Sequence, residues 1–64
     1  MTEYTVEQAR MLSKISQQKM SEILEISKNS YINKENGTSR FYVDEALKFS
    51  KAVGIPFDKI KFVI

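Results

Sequence analysis

The sequence predicts an all-α fold of five short helices in a single domain over residues 1–64. Apolar residues recur three and four positions apart, which places them on one face of a helix. Serine or threonine precedes several of these runs in the position of an N-cap, and the two glycines follow runs at positions where helices commonly end. No segment alternates between apolar and polar residues over a length typical of a strand.

The first two helices are predicted from their N-terminal residues. Thr5 and Gln8 have the spacing of a capping box, which begins a helix that we expect to extend to about Lys14. Ser16 follows as the N-cap of the second helix. The apolar stripe of the second helix consists of Met20, Ile23 and Leu24.

The third helix is predicted between Ser27, its N-cap, and Gly37, which tolerates the left-handed conformation that ends a helix. Tyr31 is spaced to pack on Ile26 as a hydrophobic staple, so we expect it in the core.

The last two helices complete the predicted fold. We expect the fourth from Tyr42 to Val53, ended by Gly54, and a fifth from Pro56 to about Lys61. The residues expected to share the inward face of the fourth helix are Val43, Ala46, Leu47, Ser50 and Val53.

Composition limits the classes of function. The chain has no cysteine, which excludes a thiolate metal site, and no histidine, the commonest general base. We therefore expect no enzyme activity, no metal or other cofactor and no small-molecule substrate. No apolar run is long enough to cross a bilayer, and the first residues lack a signal-peptide pattern, so we expect a cytoplasmic protein with no membrane contact.

Positive charge is concentrated in one segment, although the net charge is only +2. The segment between Ser27 and Tyr42 contains three basic residues, Lys28, Lys34 and Arg40, and one acidic residue, Glu35. Serine, threonine and asparagine are also frequent there, and their side chains bind phosphates and base edges. This favours a nucleic-acid surface, although a solvated helix and loop have the same composition.

Two short capped helices separated by a tight turn, at about residues 16–37, resemble the helix-turn-helix of lambda-repressor-like domains (phage Cro and CI, XRE-type). The resemblance extends from about Thr5 to Phe62. The segments that carry it are Ser16-Gln17, Ser21, Leu24-x-Ile26-Ser27, Glu35-Asn36-Gly37 and Gly54-Ile55-Pro56-Phe57-Asp58.

This resemblance implies a compact five-helix lambda-repressor-like fold with a central helix-turn-helix. It also implies a sequence-specific regulator of transcription that binds double-stranded DNA. The third helix would lie in the major groove of an operator. The specific function that it implies is that of a Cro-like repressor of a phage or mobile element. Such a repressor would be located on the nucleoid in the cytoplasm of a bacterial host cell.

The resemblance also assigns roles to individual residues. Asparagine amides can pair with adenine and lysine can donate to guanine, and residues four apart on a helix point the same way. The implied base contacts are Lys28, Asn29 and Asn33. The implied phosphate contacts are Gln17, Asn36, Thr38, Ser39 and Arg40. Arg10 and Glu35 match an ion pair that orients Asn36 and the following loop.

Three residues depart from the family pattern. Glu25 lies where glycine is usual, in a turn that needs a positive φ, which predicts a strain of about 1 kcal/mol or a different turn. Lys34 lies where an apolar core residue is common, and Ile32 where a polar one is common. These two leave open a rotation of the recognition helix.

Repressors of this size bind two-fold operators as homodimers. The residues expected at a dimer interface are Phe49, Phe62, Val63 and Ile64, although Phe62 and Ile64 could equally fold back over the core. The alternative function is an antirepressor-like protein-interaction module on the same scaffold, which the modest net charge and the departures at Glu25 and Lys34 would suit.

Overall fold

The computed structural model describes residues 3–63. Within them, four α-helices and one 3₁₀ turn surround the core, and two short strands pair beside it. The elements in chain order are β1 (Tyr4–Thr5), α1 (Val6–Leu12), α2 (Gln17–Leu24), α3 (Lys28–Asn36), α4 (Val43–Val53), the 3₁₀ turn (Phe57–Lys59) and β2 (Ile60–Lys61).

The predicted starts of the first four helices are confirmed. The Thr5 hydroxyl accepts a hydrogen bond from the Gln8 N–H at 3.1 Å, and the Gln8 side chain accepts one from the Thr5 N–H at 3.0 Å. Ser16 and Ser27 cap α2 and α3 in the same way as Thr5 caps α1. Each such cap satisfies an N–H that the helix itself leaves without a partner.

The prediction of a fifth helix and of no strand is wrong. After Pro56 the chain makes a single 3₁₀ turn, and Ile60 and Lys61 then pair in parallel with Tyr4 and Thr5. Ile60 is buried and Lys61 exposed, the alternation of an extended chain. The extended conformation lets the backbone of this segment pair with β1. A helix could not do this, because its backbone groups bond to one another.

Among residues 3–63, nine buried apolar side chains form the core, and aromatic rings cover it on one side. The Phe62 ring centroid lies 5.1 Å from that of Phe41, 5.6 Å from Phe49 and 5.2 Å from Phe57. Phe62 therefore folds back over the core. The buried apolar residues are Val6, Ala9, Met20, Leu24, Tyr31, Phe41, Ala46, Phe49 and Ile60.

The predicted inward face of α4 is wrong in part. Val43 and Leu47 are 56% and 53% exposed, whereas Phe49, expected at a dimer interface, is fully buried. The helix turns Phe49 inward because its ring fills the space beside Phe41 and Phe62, and it buries more apolar surface than Leu47 could. Phe49 therefore has no surface left for a second copy.

Candidate nucleic-acid interface

A left-handed residue makes the turn between α2 and α3. Glu25 has φ 61° and ψ 41°, the conformation expected at a position where glycine is usual. The next N–H, of Ile26, donates to the Ser21 carbonyl at 3.0 Å and so closes the end of α2. Ser21 is buried, and its hydroxyl donates to the Gln18 carbonyl at 2.6 Å.

The two faces of α3 differ in exposure. Tyr31 and Lys34 are buried, whereas Asn29 and Asn33 are exposed one helical turn apart. Lys34 thus occupies the inward position despite its charge, and α3 keeps the orientation that presents both asparagines to solvent. Lys28 and Asn36 are exposed at the two ends of the same helix.

The Glu35 carboxylate joins three helices. It accepts hydrogen bonds from Arg10 Nε of α1 at 2.7 Å, Gln17 Nε2 of α2 at 2.9 Å and Tyr31 Oη of α3 at 2.6 Å. Arg10 also donates to the Ile15 carbonyl at 2.8 Å. The structure thus brings together the ion pair that the sequence suggested and adds two donors to it.

The contacts of Glu35 shift the pKa values of the groups in this cluster. Burial by itself raises the pKa of Glu35, but the hydrogen bonds from Arg10, Tyr31 and Gln17 outweigh it, so this pKa lies below its ordinary value. The hydrogen bond to Glu35 raises the pKa of Arg10, and burial together with that carboxylate raises the pKa of Tyr31. At neutral pH the Glu35 carboxylate is therefore ionised, and the Arg10 guanidinium beside it balances its charge.

The loop after α3 begins at Gly37, which has φ 86°. The N–H groups of Thr38 and Ser39 both donate to the Asn33 carbonyl, at 2.9 and 3.1 Å. These bonds fold the loop back onto the last turn of α3. Thr38 and Arg40 are exposed and Ser39 is half-buried.

The family model for the helix-turn-helix, which includes XRE-type, lambda-repressor and Cro-like domains, matches residues 6–60. The chain belongs to this helix-turn-helix family. The resemblance inferred from the sequence is confirmed. Neither a curated protein nor a solved structure gives a significant match.

Helix-turn-helix domains of this family are the DNA-binding parts of transcription regulators, and the family is a regulatory rather than an enzymatic one. Over residues 3–63, every helix is too short or too polar to span a bilayer.

The segment from Ser27 to Tyr42, which contains α3 and the loop after it, presents positive charge outward. Glu35 is its single acid from Ser27 to Tyr42, and that side chain is only 3% exposed. Lys34 is also withdrawn from the surface, whereas Lys28 and Arg40 are exposed. A surface with exposed cations and amides suits a phosphate backbone and base edges.

Sequence reasoning missed the partner of Lys34. Its ammonium lies 2.9 Å from the Glu45 carboxylate and donates to the Arg40 carbonyl at 2.8 Å. One signal was present: a lysine in a core position requires a buried acceptor, and Glu45 is an acid in the first turn of the next helix.

The residues expected at a dimer interface differ in how far they are buried. Phe62 is half-buried among the aromatic rings, and Val63 is 47% exposed. The Val63 carbonyl accepts a hydrogen bond from the Phe41 N–H at 2.6 Å, which holds the chain end beside the loop after α3. Phe49 lies in the core, and Ile64 is outside the described residues.

Proposed function

We propose that this domain is a sequence-specific regulator of transcription that inserts α3 into the major groove of double-stranded DNA. The observation that carries the proposal is the exposed polar face of α3, where Asn29 and Asn33 lie one turn apart. The opposite face is held by the buried Tyr31 and by Glu35, so the outward face has a fixed direction.

The base contacts follow from chemistry and position. Each asparagine amide offers a donor and an acceptor that match the N6 and N7 groups of adenine. Lys28, at the first turn of α3, can donate to guanine O6 and N7. These three side chains are the proposed readers of sequence.

The phosphate contacts flank this helix. Gln17 Nε2 carries two protons, of which one is directed to Glu35, so a second remains for a phosphate oxygen. Arg40 supplies a cation in the loop. The other proposed phosphate contacts, which supply hydroxyl and amide donors, are Asn36, Thr38 and Ser39.

Repression by a homodimer is the form of regulation that we propose. A single domain offers few base contacts, and two copies on a two-fold operator double them. Val63, which is 47% exposed, and Ile64 are the proposed contacts between copies, since Phe62 packs against the core. By occupying an operator, a Cro-like protein of a phage or mobile element would block polymerase on the nucleoid of its bacterial host.

Selection of bound duplexes from a random pool tests the proposal. We expect an enriched sequence with two related half-sites about one helical turn apart. Titration of that duplex at two salt concentrations should give a log–log slope of about −0.9 for each phosphate contact. If no duplex is bound even at about 50 mM salt, the proposal fails and a protein-interaction role on the same scaffold takes its place.

A further inference from the structure

Ile32 is an apolar side chain that the core does not use. It lies on α3 and is half-buried. Among the half-buried apolar side chains of residues 3–63, it is the one that does not pack against the buried core. Those that do pack against it are Tyr4, Ile15, Ile23, Ile26, Ala52, Val53, Ile55, Phe57 and Phe62.

The position of Ile32 on the helix places it among the proposed base readers. Residues three and four apart are neighbours on a helix surface, so Ile32 lies beside Asn29 and Asn36 and directly precedes Asn33 in the chain. A branched aliphatic group thus lies within a set of exposed amides. Isoleucine is also a weaker helix former than Ala, Leu, Lys or Glu, so helix propensity does not account for it.

We propose that Ile32 reads a thymine by packing against its 5-methyl group. The methyl group of thymine is the apolar group that base pairs present in the major groove, and apolar side chains discriminate by contact with it. Removing both groups from water on docking favours that base over cytosine at the same position. The inference rests on the proposed function, and it adds an apolar term to the hydrogen bonds of Asn29 and Asn33.

Replacing thymine by deoxyuridine isolates this contact, because uracil keeps the hydrogen-bonding groups of thymine and lacks only the methyl group. Each thymine of the selected duplex is replaced in turn and binding is measured with the wild-type protein. We expect one or two positions in each half-site at which affinity falls about fourfold, the effect of losing one buried methyl contact.

Variants then assign the contact to a residue. Ile32→Ala should bind the thymine and deoxyuridine duplexes equally at those positions, and Ile32→Val should still distinguish them. Val43→Ala is the matched control, because Val43 is an exposed β-branched residue on α4 rather than on α3. This control should keep the wild-type difference.

Two results would overturn the inference while leaving DNA binding in place. One is a selected duplex in which no deoxyuridine substitution weakens binding. The other is an Ile32→Ala protein that discriminates as strongly as the wild type. Failure of the wild type to select any duplex is a different outcome, and it would remove the proposed function together with the inference.

Discussion

Lys34 of α3 and Glu45 of α4 form a buried ion pair, with Nζ 2.9 Å from Oε1. The ammonium also donates to the Arg40 carbonyl and lies 4.8 Å from the centroid of the Tyr42 ring. Glu45 in turn accepts the Tyr42 N–H at 3.0 Å. One pair of charges thus joins the recognition helix, the loop after it and the first turn of α4.

We expect Lys34→Met to destabilise the domain by about 3 kcal/mol, because removal of one member of a buried pair leaves the other charge uncompensated. The double variant Lys34→Met/Glu45→Gln should recover much of this loss. Its neutral amide oxygen can still accept the Tyr42 N–H. Urea denaturation gives both free energies of unfolding.

Lys48→Met is the control for this prediction. Lys48 Nζ lies 3.8 Å from Glu25 Oε2, but the two side chains are 47% and 79% exposed. Solvent screens such a pair, so this variant should change the free energy of unfolding by less than about 1 kcal/mol. Equal effects of the two lysine substitutions would show that burial does not strengthen the Lys34 pair.

The hydrogen bonds to Glu35 predict that the stability of the domain depends on pH. The pKa of Glu35 in the folded domain lies below its ordinary value of 4.5, so the unfolded chain binds more protons at low pH. The stability from this carboxylate is therefore present above about pH 4.5 and is lost as pH falls through the lowered pKa. Urea denaturation of the wild type at a series of pH values measures the loss.

Glu35→Gln isolates that contribution from the other carboxylates. The variant should be less stable than the wild type at neutral pH, since it removes the charge that faces Arg10. The difference in free energy of unfolding between the two proteins should shrink as pH falls below 4.5. A difference that is constant over this range would contradict the assignment of the lowered pKa to Glu35.

Local features of the fold could be predicted from the sequence, and features that depend on distant residues could not. The caps of α1, α2 and α3 depend on residues three positions apart, so Thr5, Ser16 and Ser27 could be predicted as N-caps from the sequence. The pairing of Tyr4 with Ile60 joins opposite ends of the chain. The inward face of α4 was ambiguous because Leu47 and Phe49 are both large and apolar.

The same distinction holds within the candidate site. The outward positions of Asn29 and Asn33 follow from helical spacing and from the family register. The contact of Gln17 with Glu35, and that of Lys34 with Glu45, depend on how α2 and α4 pack on α3. Only the structure shows these polar contacts.

Glu25→Gly should stabilise the domain by about 1 kcal/mol, because a left-handed conformation costs an L-residue about 1–2 kcal/mol. Glycine avoids this cost, but it loses more chain entropy on folding, which offsets part of the gain. Glu25 has φ 61°. Glu25→Ala is the control: it removes the same charge and keeps the Cβ atom that causes the strain. In thermal denaturation, only the glycine variant should gain about 4–8 °C; equal midpoints for both variants would contradict the strain.

The proposed division between base and phosphate contacts predicts two kinds of DNA-binding variant. Asn29→Ala and Asn33→Ala should relax sequence preference and leave the melting temperature unchanged, because both side chains are exposed.

Arg40→Ala should weaken binding to all duplexes alike and reduce the salt slope by about one. Gln17→Ala should weaken binding and also lower stability, since its amide donates to Glu35 at 2.9 Å. Titrations against selected and scrambled duplexes separate these effects, and identical behaviour of all four variants would contradict the assignment of α3 to the groove.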